Sequence, residues 1–159
     1  VCSSELVRVE SRGEVLNQFL VEVFGQILKA EAACLAGKDL SLRELHLIDA
    51  VCRAVDQGGD NRSTAIAAAL GITAGTLTSA VNLLEKKGYL LRRRDERDKR
   101  VVHLLPTERG RAADARHRDF HRQMVAHVLD GLTDEEAECT LRALGRVAEF
   151  FRRGAPERG

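Results

Sequence analysis

Paired apolar residues recur every fourth position from Val15/Leu16 through Phe19/Leu20 and Val23/Phe24 to Ile27/Leu28, a spacing that draws one wide stripe along a helix. Such a stripe needs a surface to lie against. Ser41, followed three residues on by Glu44, has the form of a capping box and predicts a second helix to about Val55, closed by Gly58 and Gly59. Ser63 is placed to cap a short third helix that Gly71 ends, and Thr73 to cap a fourth that Gly88 ends. Beyond Gly88 the helical period stops: YLLRRR and VVHLLP flank the polar DERDKR, which predicts a β-hairpin with a charged tip. Thr107 then starts a long fifth helix to about Leu129. Thr133 with Glu136 opens a sixth, in which Ala137, Leu141, Leu144, Ala148 and Phe151 repeat at helical spacing and Phe151 ends the run. The predicted order is α-α-α-α-β-β-α-α, a mainly α single chain over residues 1–159.

Composition agrees and narrows the function classes. With 44% apolar and 31% charged residues in 159, and only two prolines, the chain is globular and helix-favouring rather than disordered, and its longest uncharged stretch, Ser63 to Leu84, is broken by Gly71, Thr73, Gly75 and other polar residues, which excludes a membrane span. The N-terminus lacks the basic, apolar and small-residue succession of a signal peptide, and Cys2, Cys34, Cys52 and Cys139 form no CxxC pair. A reduced, cytoplasmic location without membrane contact is expected. No P-loop, nucleophile elbow, dinucleotide loop or HExxH is present, so no catalytic residue and no enzymatic activity are expected. A metal-dependent enzyme and a pure protein-interaction module stand as the rival classes.

Charge is nearly balanced overall at +1, but Lys86–Arg100 holds eight basic and three acidic residues. A basic patch on an otherwise mildly acidic chain is the footprint of a polyanion binder, and equally of a solvated charged hairpin. The preceding helices bear on the choice. A short helix, a turn of Gly71, Ile72 and Thr73 and a longer helix are the arrangement of a helix-turn-helix, whose second helix enters the major groove. With Leu77 facing inward, Ala80, Val81 and Leu84 share its side, while Gly75, Ser79, Asn82 and Lys86 point away and Thr76 and Thr78 flank them. Asn can read adenine with two hydrogen bonds, and Ser and Thr can bond base edges or phosphates. A hairpin with an arginine-rich tip directly after such a helix makes a winged helix, whose wing can place an Arg in the narrow minor groove. Candidate DNA-binding residues are Ser63, Thr73, Gly75, Thr76, Thr78, Ser79, Asn82, Lys86, Arg97, Asp98 and Arg100.

The stretch ITAGTLTSAVNLLEKKGYL followed by DERDKRVVHLLPTERG resembles the MarR family of bacterial transcriptional regulators, whose wing signature D-x-R-D-x-R is matched by Asp95, Arg97, Asp98 and Arg100. The resemblance spans roughly residues 15 to 152. It implies a homodimeric winged-helix repressor or activator that reads a pseudo-palindromic operator on double-stranded DNA, with Asp98 orienting Arg100. It also implies a DNA-binding lobe over 41–106 and a helical dimerisation lobe from 14–36 and 107–153.

The effector is the open question. His117 and His121, four apart on the fifth helix, share a face with Phe120, Met124 and Val128. With His46 and Cys34 they could supply zinc ligands, or they could be buried imidazoles bonded to backbone or carboxylates. Zinc-uptake regulators of the family carry histidines at the places of His46, His117 and His121 together with a helix-one Glu. Aligned without gaps that place holds Leu28 here, so Glu31 would have to substitute. The stretches LSLRELHLID, HRDFHRQMV and DGLTDEE resemble the FabT-type branch, repressors of fatty acid synthesis genes whose co-repressor is acyl carrier protein bearing a long acyl chain. This branch implies no cofactor, an effector site around His46, His117, Phe120, His121 and Met124, and a basic surface such as Arg111, Arg116, Arg118 and Arg122 for an acidic carrier. Zinc or another small ligand is the alternative. Redox sensing is disfavoured, because the apolar surroundings of Cys34 and Cys52 should raise a thiol pKa.

Overall fold

Capping chemistry sets the element boundaries. Ser41 and Glu44 form the reciprocal box, Glu44 N donating to Ser41 Oγ (3.3 Å) and Ser41 N to Glu44 Oε2 (2.7 Å), and they open α2, Leu42–Asp56. In α3, Ser63–Ala69, the expected cap fails: Ser63 is the first helical residue, and Arg62 stands at the N-cap without a side-chain bond. Arg62 is instead held by Asp60, which accepts both its backbone N–H and its guanidinium. Thr73 caps α4, Ala74–Lys86, by accepting Thr76 N at 3.1 Å. Gly71, with φ 63°, makes the turn between α3 and α4 in the left-handed region that other residues avoid.

The computed structural model describes residues 2–34 and 39–153, with side chains over 12–33, 39–150 and 152–153. The first helix, α1, runs Cys2–Cys34 and extends well beyond the predicted stripe; the side chains of Cys2 and Cys34 lie outside the described residues. The hairpin is β1, Leu90–Arg94, antiparallel to β2, Val102–Pro106, with Leu90 opposite Pro106 and Arg94 opposite Val102. Two more helices follow, α5 over Glu108–Asp130 and α6 over Asp134–Arg152. The order is the predicted one.

The chain divides into two units, Val1–Arg118 and Asp119–Gly159, the boundary falling within α5. In the first, Ile48, Val51 and Cys52 of α2, Ile66 of α3, Leu77, Val81 and Leu84 of α4 and Leu90 and Leu104 of the hairpin form one apolar core. Where α5 leaves the hairpin, Thr107 donates to Gly88 O (2.7 Å) and accepts Gly110 N (3.0 Å). A Cβ on Gly110 would stand 2.2 Å from Tyr89 O, so only glycine lets the helix pass that close to the strand. In the second unit, Thr133 and Glu136 form the predicted capping box of α6. Leu141 and Leu144 of that helix are exposed, Ala137 is half-buried, and the Phe151 side chain lies outside the described residues. Among the described residues no single helix is long and apolar enough to cross a membrane.

Candidate nucleic-acid interface and histidine cluster

Burial along α4 follows the expected wheel. Leu77, Val81 and Leu84 are buried, whereas Gly75, Thr76, Thr78, Ser79, Asn82 and Lys86 are exposed; Leu83 adds an exposed apolar side chain to that surface. Thr73 and Thr76 are partly engaged with each other, their hydroxyls 2.9 Å apart at the helix start. Ser63 is half-buried, and with Thr78, Asn82 and Arg92 it lines a cavity of about 180 Å³ between α4 and the hairpin.

Arg92 ties these parts together. Its guanidinium donates to Asn82 Oδ1 (2.7 Å) and Thr78 O (3.1 Å) and pairs with Glu85, whose other carboxylate oxygen accepts Arg92 N at 2.8 Å. Asn82 therefore presents its amide N–H groups freely, while its oxygen is shared with Arg92, a restriction on the two-bond reading of adenine that the wheel alone cannot reveal. Arg92 is not among the candidate DNA-binding residues, but the sequence carries a signal for it. Strand alternation puts it on the face of Leu90, the side turned to the core, where an arginine needs partners.

The wing tip is built on carboxylates that hold backbone. Asp95 Oδ1 accepts Arg97 N (2.8 Å) and Asp98 N (3.0 Å), and these bonds, chiefly that from Asp98, bring its pKa down to about 2. Asp98 Oδ1 accepts Arg100 N at 3.0 Å. The family-implied role of Asp98 is thus altered: it fixes the backbone of Arg100, and among the described residues no ion pair joins the two side chains. The guanidiniums of Arg97 and Arg100 are exposed.

His46 and His117 occupy a different part of the first unit. Glu31 of α1 is buried, with His117 Nε2 at 3.2 Å from Oε1 and His46 Nε2 at 3.7 Å from Oε2, and the two imidazoles lie 5.6 Å apart. Glu31, three residues beyond the place held by Leu28, is the helix-one carboxylate that meets these rings. In the second unit His121 follows His117 by one helical turn and packs edge-on against Phe120, centroids 5.4 Å apart. Phe120, His121 and Met124 are half-buried, but Val128 is exposed, which departs from the inward face expected for it. Burial and nearby Asp114 push the Cys52 thiol up to about 12, leaving it protonated and unreactive. Cys34 lies outside the described side chains. On α5, Arg111 and Arg118 are held by Asp56, and Arg118 also by Asp114, while Arg122 lies 3.4 Å from Asp119.

Known proteins share this arrangement. The sequence model of the MarR family matches residues 51–102. The structure of Streptococcus pneumoniae FabT in complex with DNA is similar to this chain with a TM-score of 0.80 and 34% identity, covering 88% of this chain and 97% of that one. The Staphylococcus aureus MepR–DNA complex, at 22% identity, TM-score 0.65 and coverage of 83% and 96%, shares the fold. The HTH-type transcriptional regulator YwhA of Bacillus subtilis is 31% identical over 72 residues, 45% of this chain. That match spans about half, 52%, of the length of YwhA.

Proposed function

This chain belongs to the MarR family, and on that premise we propose that it is a homodimeric transcriptional repressor that reads a pseudo-palindromic operator on double-stranded DNA in the cytoplasm. The observation that carries the reading is the joining, through Arg92, of the outward polar face of α4 to an arginine-tipped hairpin. Helix N-terminal residues Gly75, Thr76 and Ser79 would meet base edges or phosphates in the major groove, and Arg97 and Arg100 the backbone or minor groove beside it. Two copies would place their recognition helices about one DNA turn apart. Footprinting and affinity across a salt series test this: a protected site is expected, with Arg100→Ala weakening all duplexes and lowering the salt slope by about 1. A protein that protects no site would overturn the reading.

For the effector, likeness to FabT supports control of fatty acid synthesis genes by a long acyl chain on acyl carrier protein, acting as co-repressor. Arg116 of α5, exposed and outside the Asp56 pairs, is a candidate for the acidic carrier, as is Arg122. A second reading, a zinc-responsive regulator, is favoured by Glu31. Ligand atoms about 2.0 Å from a tetrahedral zinc stand about 3.3 Å apart, and the 3.2 and 3.7 Å separations from Glu31 to His117 and His46 match that edge. Operator affinity measured with carrier protein, its long-chain acylated form and zinc separates the two. Tightening by the acylated carrier alone supports the first, and tightening by zinc that His117→Ala abolishes would replace it with the second.

A further inference from the structure

His103, on the strand that returns from the wing tip, is set between two acceptors. Asn61 Nδ2 donates to Leu104 O at 2.9 Å, and because that carbonyl can only accept, the Asn61 carboxamide oxygen is turned to His103 Nδ1, 2.8 Å away. His103 Nε2 stands 3.1 Å from Asp95 Oδ2. Asp95 is ionised, since its other oxygen already takes two backbone N–H groups of the wing turn. A neutral imidazole has one N–H and can satisfy only one of these partners, whereas an imidazolium donates to both. The ring is about three-quarters buried, with 23% of its side chain exposed. The charged groups around it are Asp95 in the wing turn, Asp60 and Arg62 in the loop before α3, and Arg93 across the hairpin.

We propose that His103 is a positioning residue for operator binding: as an imidazolium it ties the wing turn, through Asp95, to the loop that enters the helix-turn-helix, through Asn61, and so sets where Arg97 and Arg100 meet the DNA. The inference rests on the wing being a DNA-contacting element. Asp95 is the shared hinge of the device, holding the Arg97 and Asp98 amides with one oxygen and the ring with the other. A neutral ring releases one side of this tie, so DNA that meets the wing turn in its held position favours the protonated ring.

The test is operator affinity of the wild type and of His103→Gln across about pH 8 to about pH 5.5, the span in which histidine takes up its proton. Acidification should tighten the wild type by about threefold to tenfold more than the variant, the worth of one charge-assisted hydrogen bond at a partly exposed site. Asp95→Asn keeps an acceptor for the backbone amides and offers an N–H to the neutral ring, so it should flatten the pH dependence too. Ring nitrogen shifts of His103 in the wild-type operator complex at about pH 7 provide a reading that does not depend on a variant folding. Two protonated nitrogens are expected. Identical pH profiles for wild type and His103→Gln, or a singly protonated ring in the complex, overturn the proposal. If Arg100→Ala leaves operator affinity unchanged, the wing does not touch DNA and the underlying reading falls with it. If Arg100→Ala weakens binding while the profiles coincide, only the role of His103 is lost.

Discussion

Between Ser41 and Pro106 the chain buries or half-buries its large apolar side chains, leaving only Leu83 and Leu91 exposed, whereas α1 leaves Val15, Leu16, Phe19, Leu20 and Phe24 open and α6 leaves Leu141 and Leu144 open. The two regions have similar patterning in sequence and opposite outcomes in structure. The winged lobe is closed by its own contacts: α2, α3, α4 and the hairpin share one core, and each of α2 and α4 starts on a side-chain cap. The stripe of α1 is 49% to 67% exposed at Val15, Leu16, Phe19 and Phe24, far more contiguous apolar surface than an isolated helix face sustains in water. The lesson is that one region carries its stability within the protomer and the other holds surface in reserve for a second copy, as the proposed dimer requires.

That contrast can be broken at its strongest point first. Phe19→Asp places a charge in the α1 stripe of both copies, and loss of two buried aromatic side chains should weaken self-association by ~3–6 kcal/mol. Light scattering should then report a monomer, while the melting of the winged lobe stays put; a dimer that persists would remove α1 from the interface. The complementary change acts inside the protomer. Gly110→Ala drives a Cβ to 2.2 Å from Tyr89 O, which should cost ~2–4 kcal/mol in denaturant unfolding through displacement of α5 from the hairpin root. An effect within ~0.5 kcal/mol would mean that the crossing relaxes freely. The smallest effect is confined to the DNA-facing surface. Arg92→Met keeps the aliphatic stem but frees Asn82 and the Thr78 carbonyl, and should cost ~1–3 kcal/mol on the cognate operator and less on random duplex. Equal losses on both would make Arg92 a phosphate contact rather than the brace of the recognition helix.

Much of this was legible in the residues because it is local. The Ser41/Glu44 and Thr133/Glu136 boxes, the Thr73 cap, the positive φ at Gly71 and the hairpin around DERDKR all depend on neighbours within a few positions, where spacing is geometry. The outward face of α4 was equally readable from its period. Ser63 does not serve as the cap its spacing suggests, because Asp60, three residues earlier, holds Arg62 at the N-cap position. Only the tertiary structure could decide the rest. Glu31 meets His46 and His117 across 15 and 86 residues of chain, and His103 meets Asn61 across 42. Those meetings depend on how α1, α2, α5 and the hairpin pack, and no periodicity encodes a distance between elements. Periodicity names the face of a helix or strand; packing of faces decides which polar groups share a buried space.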